Sequence, residues 1–254
     1  MILKEQINQW EGEERAAVMT GWDFSHIRDR YCEEDSLPWA YETVVRQYLT
    51  PQTLLLDIDT GGGEFLLSLK HPYKRTAATE AWEPNVRLCR ARLLPLGIDF
   101  RETDGTGSLP FPDDTFQLVI NRHGDYNPEE IFRILLPGGT FVTQQVGGEN
   151  DRELRELLLP EASPPFPDWN ADNASQGLLQ AGFSVLQKEE AYTPIRFFDT
   201  AALVWFAKII EWEFPGFSVS RCLDGLCEAQ NRIEQNGFLS GTAHRFLLAA
   251  RKPG

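Results

Sequence analysis

Apolar residues along this chain follow two rhythms. Short runs recur from Thr53 onward: "TLLLDI" (53–58), "RTAATEA" (75–81), "IDFRET" (98–103), "FQLVIN" (116–121) and "TFVTQQV" (140–146). Such runs read as strands buried on both faces. Between them lie longer segments with helical spacing: "EFLLSLK" (64–70), "NVRLCRARLLPLG" (85–97) and "NPEEIFRILLPGG" (127–139). Gly97 stops the second, and Pro137 with Gly138 closes the third. Strands alternating with helices predict an α/β protein with a parallel sheet and right-handed crossovers. "ASQGLLQAGFSVLQKEEAY" (174–192) adds a helix and a strand, and "TAHRFLLAARK" (242–252) a last strand.

Two segments break this rhythm. Residues 1–49 read as a helical, aromatic-rich cap, and residues 50–192 as the core. Residues 193–241 are too long for a hairpin loop and carry helix-period apolar residues. They read as a helical lid inserted before the last strand, 242–254.

Composition narrows the partners. The 254 residues carry a formal net charge of −14. A field of that sign repels phosphate backbones and anionic membrane surfaces, so nucleic acid is a poor default partner. The hydrophobic share of 42% supports a sizeable core. Cys32, Cys89, Cys222 and Cys227 lack a two-pair zinc spacing. They read as reduced thiols of a cytoplasmic protein, with no metal site. No run reaches membrane-spanning length, and the first residues do not read as a signal peptide.

The chemistry concentrates where the first strand meets the first helix, in "DIDTGGGEF". Three consecutive glycines weaken local order, so the backbone there must turn sharply or approach a ligand. A dinucleotide fingerprint needs G-x-G-x-x-G, and its third glycine would fall on Leu66. What remains is Asp57 followed by a small-residue loop through Gly61, Gly62 and Gly63. Glu80 ends the second strand, beside that loop at the switch point of a doubly wound sheet, where a carboxylate can accept two ribose hydroxyls. Asp104 follows the third strand, where an adenine amino group could be read.

This constellation, with "LPFPDDTFQLVINRHGDYNPEEIFRILLPGG" (109–139), resembles the class I S-adenosylmethionine-dependent methyltransferases. The likeness is to their small-molecule, type 11 branch. "TGGGE", "ATEAWEPNV" and "PGGTFVTQQVGG" are similar to one bacterial subgroup of it. The resemblance implies a Rossmann-like, seven-stranded, mostly parallel sheet with an antiparallel last strand, plus the helical cap. It implies that Asp57 and Gly61 to Gly63 hold the methionine part of S-adenosylmethionine, with Asp59 in the same cofactor-binding loop. Glu80 would hold the ribose, Ala81 and Trp82 would lie against the adenine, and Asp104 with Gly105 would read its amino group. Asn121, Arg122 and His123 would sit near the sulfonium and the acceptor. Two positions depart from the pattern. The first loop glycine is Asp59, whose charge is expected to oppose the cofactor's carboxylate, and the acid of "FDLV" is Gln117.

The partner implied is a small-molecule methyl acceptor. A general base is needed only when the acceptor must lose a proton, and His123 is the first candidate, with His26 second. Trp22 and Phe197, from the aromatic-rich segments, are expected at the acceptor pocket. His71 and His244 read as structural. Two other functions fit the same residues: a non-catalytic S-adenosylmethionine or S-adenosylhomocysteine-binding regulator, and an RNA methyltransferase, which the acidity opposes.

Overall fold

A computed structural model describes residues 4–18, 24–33, 37–105 and 107–254. The expected runs become β2 (Leu55–Ile58), β3 (Thr76–Glu80), β4 (Asp99–Glu102), β5 (Phe116–Arg122), β6 (Leu135–Val146), β7 (Ser184–Phe197) and β8 (Leu239–Arg251). An eighth strand, β1 (Tyr31–Glu33), corrects the expected seven. It has only three residues and no apolar run, so no periodicity announces it. The order is β1-β7-β8-β6-β5-β2-β3-β4. The block β6-β5-β2-β3-β4 is parallel, while β8 runs antiparallel to both β6 and β7. The switch point lies between β2 and β5, which continue to opposite sides of the sheet.

Alternation along the strands assigns the two faces of the sheet. Leu55, Ala78, Leu118, Ile120, Val142 and Leu247 point to one side. There they meet α2 (Tyr41–Tyr48), α3 (Glu64–Ser68) and α4 (Glu83–Arg92). Leu56, Ala77, Val119, Phe141, Phe246 and Leu248 point to the other, against α5 (Pro128–Ile134) and α7 (Ala171–Gln180). Each large apolar side chain buried in this way contributes about 1.5–3 kcal/mol. Asn127 caps α5 by accepting from the backbone N–H of Glu129, and Asn170 caps α7 through Asn173. The run "LLPGG" does not continue α5 as expected. Pro137 disfavours helical backbone at Leu136, so the chain turns into β6 at Leu135.

The remaining helices form a third cluster. It contains α1 (Lys4–Ala16), α6 (Arg152–Leu158), α8 (Thr200–Ile209) and α9 (Leu223–Asn236). Every residue of α8 except Lys208 is buried, so the helix is the centre of the cap rather than a cover over it. Asp199 caps α8 through Ala202 and also takes both nitrogens of a fork from Arg30. Below α6 lies a buried charged group. Arg155 pairs with Glu213 at 2.9 Å, with side chains 3% and 7% exposed. Arg245 donates to Asn150 and to Glu33, and Asn150 donates to Asp151. Asp151 is buried with φ 52°, and its second oxygen has no partner among the described residues.

Candidate active site

The loop after β2 owes its shape to two left-handed glycines. Gly61 has φ 64° and Gly63 φ 80°, a region that L side chains rarely adopt. The turn is tied by Thr60 N–H donating to Thr79 O and Gly63 N–H donating to Thr60 O. The Thr60 hydroxyl donates to Asp57 at 2.6 Å. Burial pushes the Asp57 carboxyl up to about 7, against the opposing pull of that hydroxyl.

Glu80 stands across from the loop at the end of β3. Its carboxylate accepts from Gly61 N–H at 2.8 Å and from the Ala81 and Trp82 N–H groups at 3.0 Å each. A longer contact, 3.3 Å, comes from the Asn85 amide. Glu80 therefore fastens the glycine loop to the start of α4. Asn85 is buried, and its Oδ1 has no partner among the described residues.

These groups open onto a cavity of about 780 Å³ at the carboxyl ends of β2, β3 and β5. Asp59, Glu80, Trp82, Asn85, Arg122 and His123 line its sheet side. The cap closes it with Ala17 and Val18 after α1, and with Lys208 to Trp212 at the end of α8, Ile210 excepted. Ligands of α/β sheets bind at such a crevice, and the volume suits a small molecule.

The expected site residues divide into three groups. Asp59, Glu80, Ala81, Trp82, Arg122 and His123 line the cavity together. Asp57 and Gly61 to Gly63 are buried just behind it, and Gly105 faces Ala81, where an added Cβ would lie 3.9 Å from that side chain. Asp104 is exposed in the same loop. Asn121 is fully buried and does not face the cavity. Its amide donates to Ile58 O and accepts from Thr143 and Gln145.

Two expected acceptor contacts lie elsewhere. Phe197 is fully buried in the cap core, stacked on Tyr31 at 5.9 Å, because β7 runs on into the cap. His26 is on the surface, paired with Glu13 at 2.7 Å and stacked on Trp205. Trp22 lies outside the described residues.

His123 has φ 63° and is held neutral, since burial and the Arg245 and Arg122 charges push its imidazole well below the usual range. Gln144 Nε2 lies 3.2 Å from His123 Nε2, while Gln144 Oε1 accepts from the Trp39 indole at 2.8 Å. The amide therefore donates to Nε2 and occupies its lone pair. Gln117 sits at the opposite end of β5 from the cavity and accepts from Leu54 N–H. That departure from the family pattern braces the sheet rather than the site.

Sequence reasoning missed Asn85, Lys208, Glu211 and Trp212. Asn85 carried one signal, an amide set among the apolar positions of α4. Lys208 and Glu211 interrupt the apolar run "VWFAKIIEWEF" with charge, a signal visible but not addressed to any ligand, and Trp212 is one more aromatic of that run. A second cavity, about 470 Å³, lies beside β7 and β8 between Arg152, Trp169, Tyr192 and His244. Its arginine is already paired with Glu149 and Glu153.

A doubly wound sheet with one antiparallel insertion, a glycine loop after its first core strand and an acid ending the next defines the class I methyltransferase fold. Residues 56–143 match the family model described as a methyltransferase domain. Over those residues the chain is similar to methyltransferase domains of the type 11 branch, and the fold around them is that of the class I methyltransferases. Domains of this class use S-adenosylmethionine. Sequence comparison with curated proteins finds no match. Among solved structures, a candidate methyltransferase of Bacillus halodurans superposes with a TM-score of 0.59 at 17% identity, over 84% of this chain and 99% of that one. A Deinococcus radiodurans protein of unknown function gives 0.59 at 15% identity, over 98% and 97%. A Haloferax volcanii chain, from a complex of the Trm112 methyltransferase activator with a candidate methyltransferase, gives 0.53 at 18%, over the full length of both. At these identities the likeness is one of fold. Among the described residues, no helix is long and apolar enough to cross a membrane.

Proposed function

We propose that the chain binds S-adenosylmethionine in the 780 Å³ cavity and transfers its methyl group, in line, to a small molecule. The observation that carries this reading is the Glu80–Asn85 corner. Asn85 Oδ1, buried without a partner among the described residues, and the Glu80 oxygen that the Asn85 amide reaches only at 3.3 Å, both on the cavity wall, form an acceptor pair for hydroxyl donors. The donor set fits the cofactor elsewhere too. Trp82 is 43% exposed beside this corner and offers a face to an aromatic base. Arg122 lies over the Tyr41 and Phe65 rings and has no carboxylate partner among the described residues, which suits the methionine carboxylate.

When bound, the cofactor supplies a methyl group already activated on a sulfonium. The chain then has to position the acceptor and exclude water. The end of α8 and the segment after α1 supply the dry side of the cavity. With its Nε2 lone pair committed to Gln144, His123 orients rather than deprotonates. A base, where the acceptor must lose a proton, is then another group on the cavity wall rather than His123. The acceptor's approach to the sheet is set by Arg122 and His123, and to the cap by Lys208 and Trp212.

Calorimetric titration with S-adenosylmethionine and S-adenosylhomocysteine tests the binding. Formation of S-adenosylhomocysteine in a metabolite pool tests the transfer. Binding without turnover in any pool would leave the non-catalytic regulator as the better account, and absence of binding would remove both.

A further inference from the structure

We propose that Asp59 makes this cavity selective for the cationic sulfonium ligand over the neutral thioether product. The proposal rests on the methyltransferase reading above. It begins from a seat built for a side chain where the family pattern has glycine. Asp59 holds φ 53°, a conformation that Asp tolerates better than most residues. A Cβ added at Gly124 would fall 2.6 Å from the Asp59 Cβ and 2.7 Å from its Oδ2. The absence of a side chain at 124 thus leaves the room that the Asp59 carboxylate fills. The side chain stays half-buried on the cavity wall, and among the described residues it forms no ion pair.

The surroundings fix the sign of what it can bind. From β3 it faces Glu80, from the loop after β5 Asp125, and from the preceding strand β2 Asp57 stands behind it. Arg122 at the end of β5 is the nearby base, already over two aromatic rings, and His123 beside it is neutral. Lys208 and Glu211 on the cap side carry one charge of each sign. Four carboxylates, Asp59 included, against one guanidinium favour a ligand with net positive charge. S-adenosylmethionine carries one more positive charge than S-adenosylhomocysteine, at the sulfonium.

Burial, Glu80 and Asp125 push the Asp59 carboxyl up to about 7. An arriving cation draws this value down. Below pH 7 binding therefore releases a proton, and affinity for the sulfonium form falls as pH drops. Asp57, also near 7, titrates in the same window, so an isosteric variant at 59 is needed to separate the two.

The experiment is calorimetry on the full chain and on Asp59→Asn and Asp59→Gly, with both ligands, at about pH 6 and about pH 8, in two buffers of different ionisation enthalpy. Asn keeps the shape and the tolerance of positive φ, so folding is preserved. The expected result is a loss of about tenfold in S-adenosylmethionine affinity for Asp59→Asn, against less than about threefold for S-adenosylhomocysteine. Proton release near pH 6 should fall in both variants. An unchanged ratio in Asp59→Asn, or tighter binding of both ligands by Asp59→Gly, overturns the proposal and leaves the methyltransferase reading standing. Failure of the unaltered chain to bind either ligand overturns that reading, and this proposal with it.

Discussion

The sheet wall of the cavity and the interior beneath the cap place their charges in different ways. On the sheet, Asp57, Asp59, Gly61, Glu80 and Asn85 come from one short stretch of chain, and backbone N–H groups hold Glu80 in place. Behind the cap, Glu33, Asp151, Arg155, Glu213 and Arg245 come from almost the whole length of the chain and hold one another. The first arrangement is local and keeps its shape through the turn. The second exists only when the tertiary fold is complete, so a lost partner leaves a buried charge unanswered.

The comparison predicts where the molecule breaks. The largest effect on stability is expected for Arg155→Ala, which leaves Glu213 buried without its partner and should cost about 3–5 kcal/mol in urea unfolding. A cost below about 1 kcal/mol would show that the group is solvated, and the contrast between the two arrangements would fall. Next comes Glu80→Ala. Losing the acceptor of the sheet wall should weaken S-adenosylmethionine binding by about 1.5–3 kcal/mol by calorimetry. An unchanged dissociation constant in the folded variant would remove Glu80 from the site.

A smaller and opposite effect is expected for Asp151→Asn. Burial and the neighbouring Glu213 push the Asp151 carboxyl well above its ordinary value. The native state then binds more protons than the unfolded chain, so this residue lowers stability as pH rises above about 4. The variant should be more stable than the parent by about 1 kcal/mol or more at pH 8, with the gain shrinking toward pH 4. A gain independent of pH would mean that the charge is compensated by Arg245 and Arg155. The smallest effect separates parts of one helix. Hydrogen exchange in α8 should be slow with or without cofactor, because nearly all its side chains are buried. Glu211 and Trp212, on the cavity, should gain protection on binding. Uniform exchange across both segments in both states would argue against closure of the cap on the ligand.

The same contrast explains what could be read from the sequence. Strands β2 to β6 are apolar runs whose period and length were visible, and the glycine loop and Glu80 were placed by the rule that ligands meet the carboxyl ends of such strands. The cap was visible only as helical composition. Phe197 looked like a pocket residue because aromatics crowd that segment, but the pairing of β1 with the end of β7 carries it into the core. His123 was found by its place after β5, yet its role depends on Gln144 and Trp39, whose approach no local pattern encodes. Asp59 was visible as a departure from glycine. That it has a seat was not, because the seat is the missing side chain of Gly124.

The placing of β8 has a consequence for synthesis on the ribosome. This strand lies between β6 and β7, yet β7 emerges first and the whole of α8 and α9 follows before β8 appears. Until then neither β7 nor β6 has a neighbour on the edge that β8 will occupy. The nascent chain therefore presents two open strand edges during vectorial elongation, the condition in which chains pair with one another. Lys188, Glu189 and Glu190 in β7 are exposed and charged, and they keep one of those edges unattractive to other chains while it waits. Slower translation between 198 and 238 would prolong that wait. Yield of soluble chain should accordingly respond to codon choice in this window more than to the same changes before β2.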